Sequence, residues 1–600
     1  MLSIGKLTPG RAGYYSAQLP GGADEYYTRN TGVEQPAVWL GSAAGRLGLA
    51  GPVAAEQFRA VLDACHPVTG EPLGIPRTTA RRLAGFDLCL SAPKSVSVAW
   101  ALAPPEVADR IAAAHDRAVA QSVEAFEVEV VRARRGKRAA TLIDTDGVAA
   151  AAFGHRSSRR GDPQIHTHVV VPNLTVDGTG RWSALAGDRV YRWAKTLGYL
   201  YQAALRAELA ETLDIAWGPV RNGSAEIAGV DSRLVEAFSK RRAEILDALR
   251  AVGGRSAQAA QTATLATRPA KDHTIDIDTL RDRWHDEAAA LGCELPHVRQ
   301  VGPDVRLAAH TKDLAPELFG PEGLTANAST FDRRDVLRAV AAAHPDGIRV
   351  SGARAGTDRL LARPEVVALG SDGPAGPRYS TAELVGVEAR LVDRARRQTD
   401  AHLGIAGHDA VRAALAERPS LTGEQRQMVA SLTASGAGVE VVVGRAGSGK
   451  TFALDAARAA WEASGHQVIG CALAARAAVE LQAGSGIASG TVDRLVADLD
   501  RPGPLSLLRP RTVVVVDEAA MIGTRKLARL LEHAEAREAK VVLVGDHRQL
   551  PEIAAGGAFA ALTHAVATTE LAGNSRQTQA WERTALSELR AGSVAAGVDA

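Results

Sequence analysis

The spacing of apolar positions changes several times along the chain. "GFDLCLS" (85–91) alternates with strand period, while "PPEVADRIAAAHDRAVAQSVEAFEVEV" opens on proline and continues at helical spacing. "RAATLIDTDGVAAAAFGH" and "QIHTHVVVPNLTV" predict two strands joined by the polar loop "RSSRRGDP", and 184–250 reads as mostly helical. Strands followed by helices predict an α+β domain over residues 1–295. Residues 296–415 hold helical pieces around the Gly/Pro-rich "GSDGPAGPRYS" and read as a separate helical connector. From 416 to 600 the short apolar runs "VEVVVG", "HQVIGCAL", "TVVVVDE" and "KVVLVGD" alternate with helical stretches. That pattern predicts a parallel, doubly wound α/β sheet buried on both faces.

The hairpin prediction has a chemical consequence. Residues two apart on a strand share a face, so His166 and His168 stand side by side, and the returning strand brings His155 to them. The three histidines are eleven and two residues apart. Such a cluster can hold one metal or one substrate group, or can consist of packed or solvated histidines. Three convergent neutral imidazoles would leave metal positions open for substrate.

The second half carries a more specific signal. "GRAGSGKT", Gly444, Arg445, Ala446, Gly447, Ser448, Gly449, Lys450 and Thr451, matches the phosphate-binding loop pattern between an apolar strand and a helix. Backbone N–H groups of such a loop close around phosphate oxygens at a helix N-terminus. Lys450 is expected to reach the β- and γ-phosphates, Thr451 to place its hydroxyl on Mg²⁺, Asp517 to hold that ion through water, and Glu518 to activate the attacking water. These residues imply ATP and magnesium as ligands.

Composition constrains the remainder. The chain has 600 residues, 46% hydrophobic and 23% charged, which is ordinary globular material for several domains. Net charge is only +2, so any affinity for nucleic acid must come from local clusters such as "RARRGKR" (Arg132–Arg138) and Arg156, Arg159 and Arg160. The four cysteines lack metal spacing and read as reduced thiols. Neither a signal core nor a membrane-length apolar run is visible, so a cytoplasmic protein without membrane insertion is expected.

Two resemblances follow. "LTGEQRQMV" (421–429), the phosphate loop, "VDEAAM", "LVGDHRQLPEI" (543–553) and "NSRQ" (574–577) resemble the ordered motifs of superfamily 1 DNA helicases. The resemblance implies that Gln425 contacts adenine, Gln549 senses the γ-phosphate with Asp546 in the same loop, and Arg576 approaches that phosphate from the far side. The later helicase motifs do not follow, so the expectation is a first motor domain with the second missing, able to bind nucleotide without unwinding.

The first part, through "MLSIGKL", the tyrosine pairs Tyr14-Tyr15 and Tyr26-Tyr27, "FDLCLSAPKSVSVAW" and "GHRSSRRGDPQIHTHVVVPN", resembles the MobF class of conjugative relaxases. These are His-hydrophobic-His nucleases. Thr167 stands where the motif name calls for a hydrophobic residue and leaves both ligand positions intact. The resemblance implies that Tyr14 attacks a DNA phosphodiester at an origin of transfer and stays joined to the 5′ phosphate. Tyr26 would serve a second transesterification, with Tyr15 and Tyr27 as reserves or packing residues. It also implies that Asp87 orients a ligating histidine or takes the tyrosine proton. Burying an unpaired carboxylate between apolar strand residues is costly, which independently favours a working role for Asp87. An unperturbed phenol, with a pKa of about 10, is a poor nucleophile at neutral pH and needs a metal to polarise the phosphate.

Magnesium or manganese is the family expectation. Imidazole softness alone favours ions such as zinc or nickel. Single-stranded and duplex origin DNA, ATP, accessory relaxosome proteins and type IV secretion coupling proteins are the implied partners. The rival readings are a helicase whose first domain only binds DNA, and a structural loader in a mobilisation complex.

Overall fold

The computed structural model describes residues 2–7, 36–74, 83–136, 141–252, 276–293, 299–300, 313–370, 376–445, 447–501, 508–549 and 554–573, with scattered positions from 579 to 593. Tyr14, Tyr15, Tyr26, Tyr27, Ala446 and Arg576 lie outside the described residues. The chain forms two units, one of 1–314 with 333–362 and one of 315–332 with 363–600. The 296–415 stretch is therefore shared between them.

The first unit is α+β. Its strands are β1 (Leu2–Leu7), β2 (Val38–Leu40), β3 (Gly85–Ser91), β4 (Ala150–Ser157) and β5 (Pro163–Pro172). They form one antiparallel sheet in the order β1–β3–β5–β4–β2, with β5 at its centre. Helix α1 (Ala55–Leu62) packs Phe58 edge-on against Phe153 of β4 and covers one end of one face. Among the helices on the opposite face are α2 (Lys94–Leu102), α3 (Pro105–Glu129) and α4 (Gly187–Thr212). Helix α3 has proline at its first position, where no N–H is needed, and buries Val107, Ile111, Ala114, Ala118 and Phe126 along one stripe.

Helix α5 (Arg333–Ala342) joins this unit through charge as well as packing. Glu129 at the end of α3 is nearly buried and accepts two hydrogen bonds from Arg333, at 2.9 and 3.0 Å, and one from Arg354 at 3.0 Å. A buried carboxylate needs such partners, which explains why a segment some two hundred residues distant docks here.

The second unit is the expected α/β fold. Strands β6 (Val439–Gly444), β7 (Gln467–Ala472), β8 (Ala488–Thr491), β9 (Thr512–Asp517), β10 (Lys540–Gly545) and β11 (Thr568–Leu571) are all parallel, in the order β8–β7–β9–β10–β6–β11. Val441, Val442, Val514, Val515 and Leu543 are fully buried, as parallel strands covered on both faces require. Helix α6 (Gly423–Ala434) starts with a capping box between Thr422 and Gln425, and α7 (Lys450–Ala463) follows the phosphate loop.

Candidate functional site

The hairpin β4–β5 pairs His155 directly with His166. The alternation of β5 puts His168 on the same face, and the rings gather with centroids 5.2, 5.4 and 5.4 Å apart. His155 is almost buried and stacks on His166, while His166 and His168 are part-exposed at the end of the face that α1 leaves uncovered. Asp87 of β3 reaches diagonally across the sheet. Its Oδ1 lies 2.8 Å and its Oδ2 3.1 Å from His168 Nδ1. His166 Nδ1 donates to the Gln164 carbonyl at 3.0 Å. These bonds commit Nδ1 on both rings, so Nε2 is the nitrogen each ring offers to a metal.

Burial on its own would lower the pKa of His168. The neighbouring Cys89 and Asp87 overcome it and hold the imidazole well above its ordinary value. A metal therefore has to displace a proton there. Among the described residues, no three His, Cys, Asp or Glu side chains stand in a finished metal-binding geometry. The donor set nevertheless fits a divalent ion, because three imidazoles share one neighbourhood and two are oriented by a carboxylate or a carbonyl.

The arginines sort differently from expectation. Strand β4 runs two residues beyond His155, through an irregularity between His155 and Ser157, so Arg156 is a strand residue rather than a loop residue. Its side chain is 5% exposed and turns to the helix-covered face, toward Asp116. The DNA-facing role expected for Arg156 is therefore corrected: a buried guanidinium does not meet a phosphate at the surface. Arg159 is only part-exposed, and Arg160 is more open and pairs with Glu244. Lys94, which sequence reasoning left aside, donates to the Pro163 carbonyl at 2.9 Å where β5 begins. Burial, opposed by Asp162 and Glu226, lowers its pKa to about 8. A lysine between strand and helix looks like any solvated charge until the fold encloses it.

In the second unit the phosphate loop lines a cavity of 650 Å³ with Gly447, Lys450, Asp517, Glu518 and Gln549 on its walls. Lys450 Nζ donates to the Gly444 carbonyl at 3.0 Å. A Cβ on Gly444 would lie 2.4 Å from the Lys450 side chain, so any larger residue there would push the lysine out of this position. Gly449 has φ +73°, and a Cβ there would lie 2.3 Å from Gln425 Nε2. Gln425 donates to the Ser448 carbonyl at 3.0 Å and accepts from Thr422 N–H at 2.9 Å. Its amide thus braces the loop from beneath. Glu518 has φ +50°, a left-handed conformation that a non-glycine residue rarely adopts outside functional turns. Burial raises the pKa of both Asp517 and Glu518, with Lys450 opposing. Asp546 is buried and accepts from Arg548 N–H and from Gln549 Nε2, which fixes the loop holding Gln549 at the cavity. Glu480 also lines the cavity, and no sequence signal separates it from other helix carboxylates.

The profile of the TrwC relaxase family matches residues 9–291, and that of an AAA domain matches 420–600. A solved structure of the conjugative relaxase TrwC with oriT DNA, in metal-bound form, is 32% identical, with all of that chain and 49% of this one covered, at a TM-score of 0.42. Residues 9–291 thus carry a TrwC relaxase domain, and an AAA domain follows it. A probable conjugal transfer protein TraA of Sinorhizobium fredii is 29% identical over 73% of this chain and 38% of its own length. The multifunctional conjugation protein TraI of Escherichia coli is 31% identical over 62% of this chain and 21% of its own length. The chain thus spans well under half of these curated relatives. The α+β relaxase fold and the P-loop fold stand in the order the sequence suggested. Among the described residues no helix is long and apolar enough to cross a membrane.

Proposed function

We propose that the first unit is a DNA relaxase that nicks one strand at an origin of transfer by tyrosine transesterification. The observation that carries this reading is the gathering of His155, His166 and His168 on the open face of the central hairpin, with Asp87 bonded to His168. The names of the relatives, conjugal transfer proteins and a relaxase with oriT DNA, support it. A tyrosine oxygen, with Tyr14 first and Tyr26 for rejoining, forms a bond to phosphorus while the bond to the 3′ oxygen breaks. A divalent ion, magnesium or manganese, would supply polarisation of the phosphate when bound. The three imidazoles would hold that ion, and Asp87 would keep His168 in the ligating tautomer. Because Asp87 already spends both oxygens on His168, orienting suits it better than accepting the tyrosine proton.

The second unit binds ATP with Mg²⁺ in this reading and contributes the first motor domain of a helicase. Lys450, Thr451 and the loop amides hold the phosphates, Asp517 the ion, Glu518 the attacking water, and Gln549 the γ-phosphate. Gln425 acts mainly by bracing the loop. In this reading the protein works in the cytoplasm, with relaxosome and secretion-coupling proteins as its partners. The test is cleavage of labelled single-stranded origin DNA by wild type and by single His→Ala variants at 155, 166 and 168, alongside metal titration. Metal affinity and cleavage should fall together in each. Cleavage by metal-stripped protein at the wild-type rate would make the cluster structural.

A further inference from the structure

Behind the histidines, on the helix-covered face of the same sheet, lies a second polar cluster that the nicking chemistry does not use. His115 of α3 is fully buried. Its Nδ1 is hydrogen-bonded to the Tyr201 hydroxyl of α4 and its Nε2 to the Thr167 hydroxyl of β5, each at 2.8 Å. Tyr201 and Thr167 are themselves buried. The next residue of α3, Asp116, faces Arg156 of β4 at 3.7 Å. Gly154 lies beside this arrangement: a Cβ there would meet the Arg156 guanidinium at 3.7 Å and the Thr167 hydroxyl at 3.9 Å, both ordinary contacts. Burial, reinforced by Arg156, pushes the pKa of His115 well down, so its ring stays neutral, with one donor and one acceptor nitrogen to match the two hydroxyls.

The positions of these contacts matter more than their number. Thr167 separates His166 from His168, and Arg156 follows His155. Neighbouring strand residues point to opposite faces, so whatever pins Thr167 and Arg156 on one side fixes how the strands are rolled on the other. A slip of one residue would turn the imidazoles into the core and the threonine to the site. An otherwise apolar interface does little to resist a small roll, whereas a buried hydrogen bond that must be met resists it strongly. Ligating rings need placement to within a few tenths of an ångström.

We infer that His115 and Asp116, consecutive on α3, are positioning residues that set the aim of all three site histidines from behind, His115 through Thr167 and Asp116 through Arg156. The inference rests on reading the triad as a metal site.

The test uses the 600-residue chain. Thr167→Val keeps the shape and removes the hydroxyl, while Thr167→Ser restores it. Calorimetric titration with Mn²⁺ is expected to show roughly 3–10-fold weaker binding for Thr167→Val, below the ~10–100-fold typical of a direct orienting partner, with Thr167→Ser returned to wild type. Side-chain ¹⁵N spectra of labelled histidine in metal-free protein give a second reading. Thr167→Val should move the His166 and His168 signals as well as that of His115. Unchanged His166 and His168 signals with unchanged Mn²⁺ affinity, in a folded Thr167→Val protein, would overturn the inference and leave only a stabilising network. If Thr167→Val does not fold, Tyr201→Phe, which removes only the far hydroxyl, carries the same readings. Failure of wild type to bind Mn²⁺ would count against the metal reading, while the histidine spectra would still decide the positioning role.

Discussion

Asp87 and His168 come from neighbouring strands and meet through a hydrogen bond of 2.8 Å between Oδ1 and Nδ1. The bond fixes the tautomer and the plane of an imidazole whose other nitrogen faces the cluster. Asp87→Ala is therefore expected to weaken Mn²⁺ binding by ~10–100-fold, with a parallel loss of DNA cleavage. Asp87→Asn should fall between that variant and wild type, because an amide oxygen still accepts from Nδ1. Calorimetry on folded variants checks this, and wild-type affinity in Asp87→Ala would detach the carboxylate from the site.

The nucleotide cavity separates binding from hydrolysis. Lys450→Ala removes the ammonium expected at the phosphates and should abolish measurable binding of a fluorescent ADP analogue. Glu518→Gln keeps the cradle and should bind nucleotide as wild type does, while ATP turnover drops by roughly 10²–10⁴-fold if Glu518 activates the water. Equal turnover in Glu518→Gln and wild type would remove that role.

Lys540 and Glu440 form a buried ion pair in the core of the second unit, 2.5 Å apart and 0% and 2% exposed. Lys540→Met alone strands the carboxylate and should destabilise this unit by ~3–5 kcal/mol, whereas Lys540→Met with Glu440→Leu should recover most of the loss. Denaturant melts of the two variants decide it. A double variant no better than the single one would mean that the surrounding packing, not the charge, sets the stability.

How much of this could be read from the sequence depends on the residue. The β4–β5 hairpin was legible because alternation alone puts His166 and His168 on one face, and because a short polar loop must return His155 beside them. The phosphate loop was legible because its glycines answer steric demands that recur wherever a backbone wraps phosphate. Arg156 was not legible. Whether a strand ends at residue 155 or 157 decides if that guanidinium meets solvent or core, and the irregularity in the strand leaves no trace in the pattern. His115 was hidden likewise, since a histidine in a helical stripe gives no hint of a threonine fifty-two residues away. The docking of 333–362 on the first unit uses Glu129, a carboxylate whose burial only the fold reveals, beside the buried Val336, Leu337 and Val340.

Lys94 gives a pH signature. Burial lowers its folded pKa to about 8 from the ordinary 10.5. Between those values the unfolded chain holds more of this proton than the folded one, so the contribution of Lys94 to stability rises with pH across that window and is flat below it. Urea melts at about pH 7 and about pH 9.5 should show wild type gaining stability relative to Lys94→Met as pH rises. A pH-independent difference would place the amine in solvent.

The central claim is covalent nicking by a tyrosine. The most direct measurement incubates the protein with end-labelled single-stranded origin DNA and Mn²⁺ or Mg²⁺, then separates the products in denaturant. The account predicts a protein–DNA adduct that survives denaturation, carries the 5′ side of the break on a phosphotyrosine, and disappears in Tyr14→Phe. Tyr26→Phe should still form the adduct and fail in rejoining. Cleavage without any adduct, or an adduct undiminished in Tyr14→Phe, would contradict it.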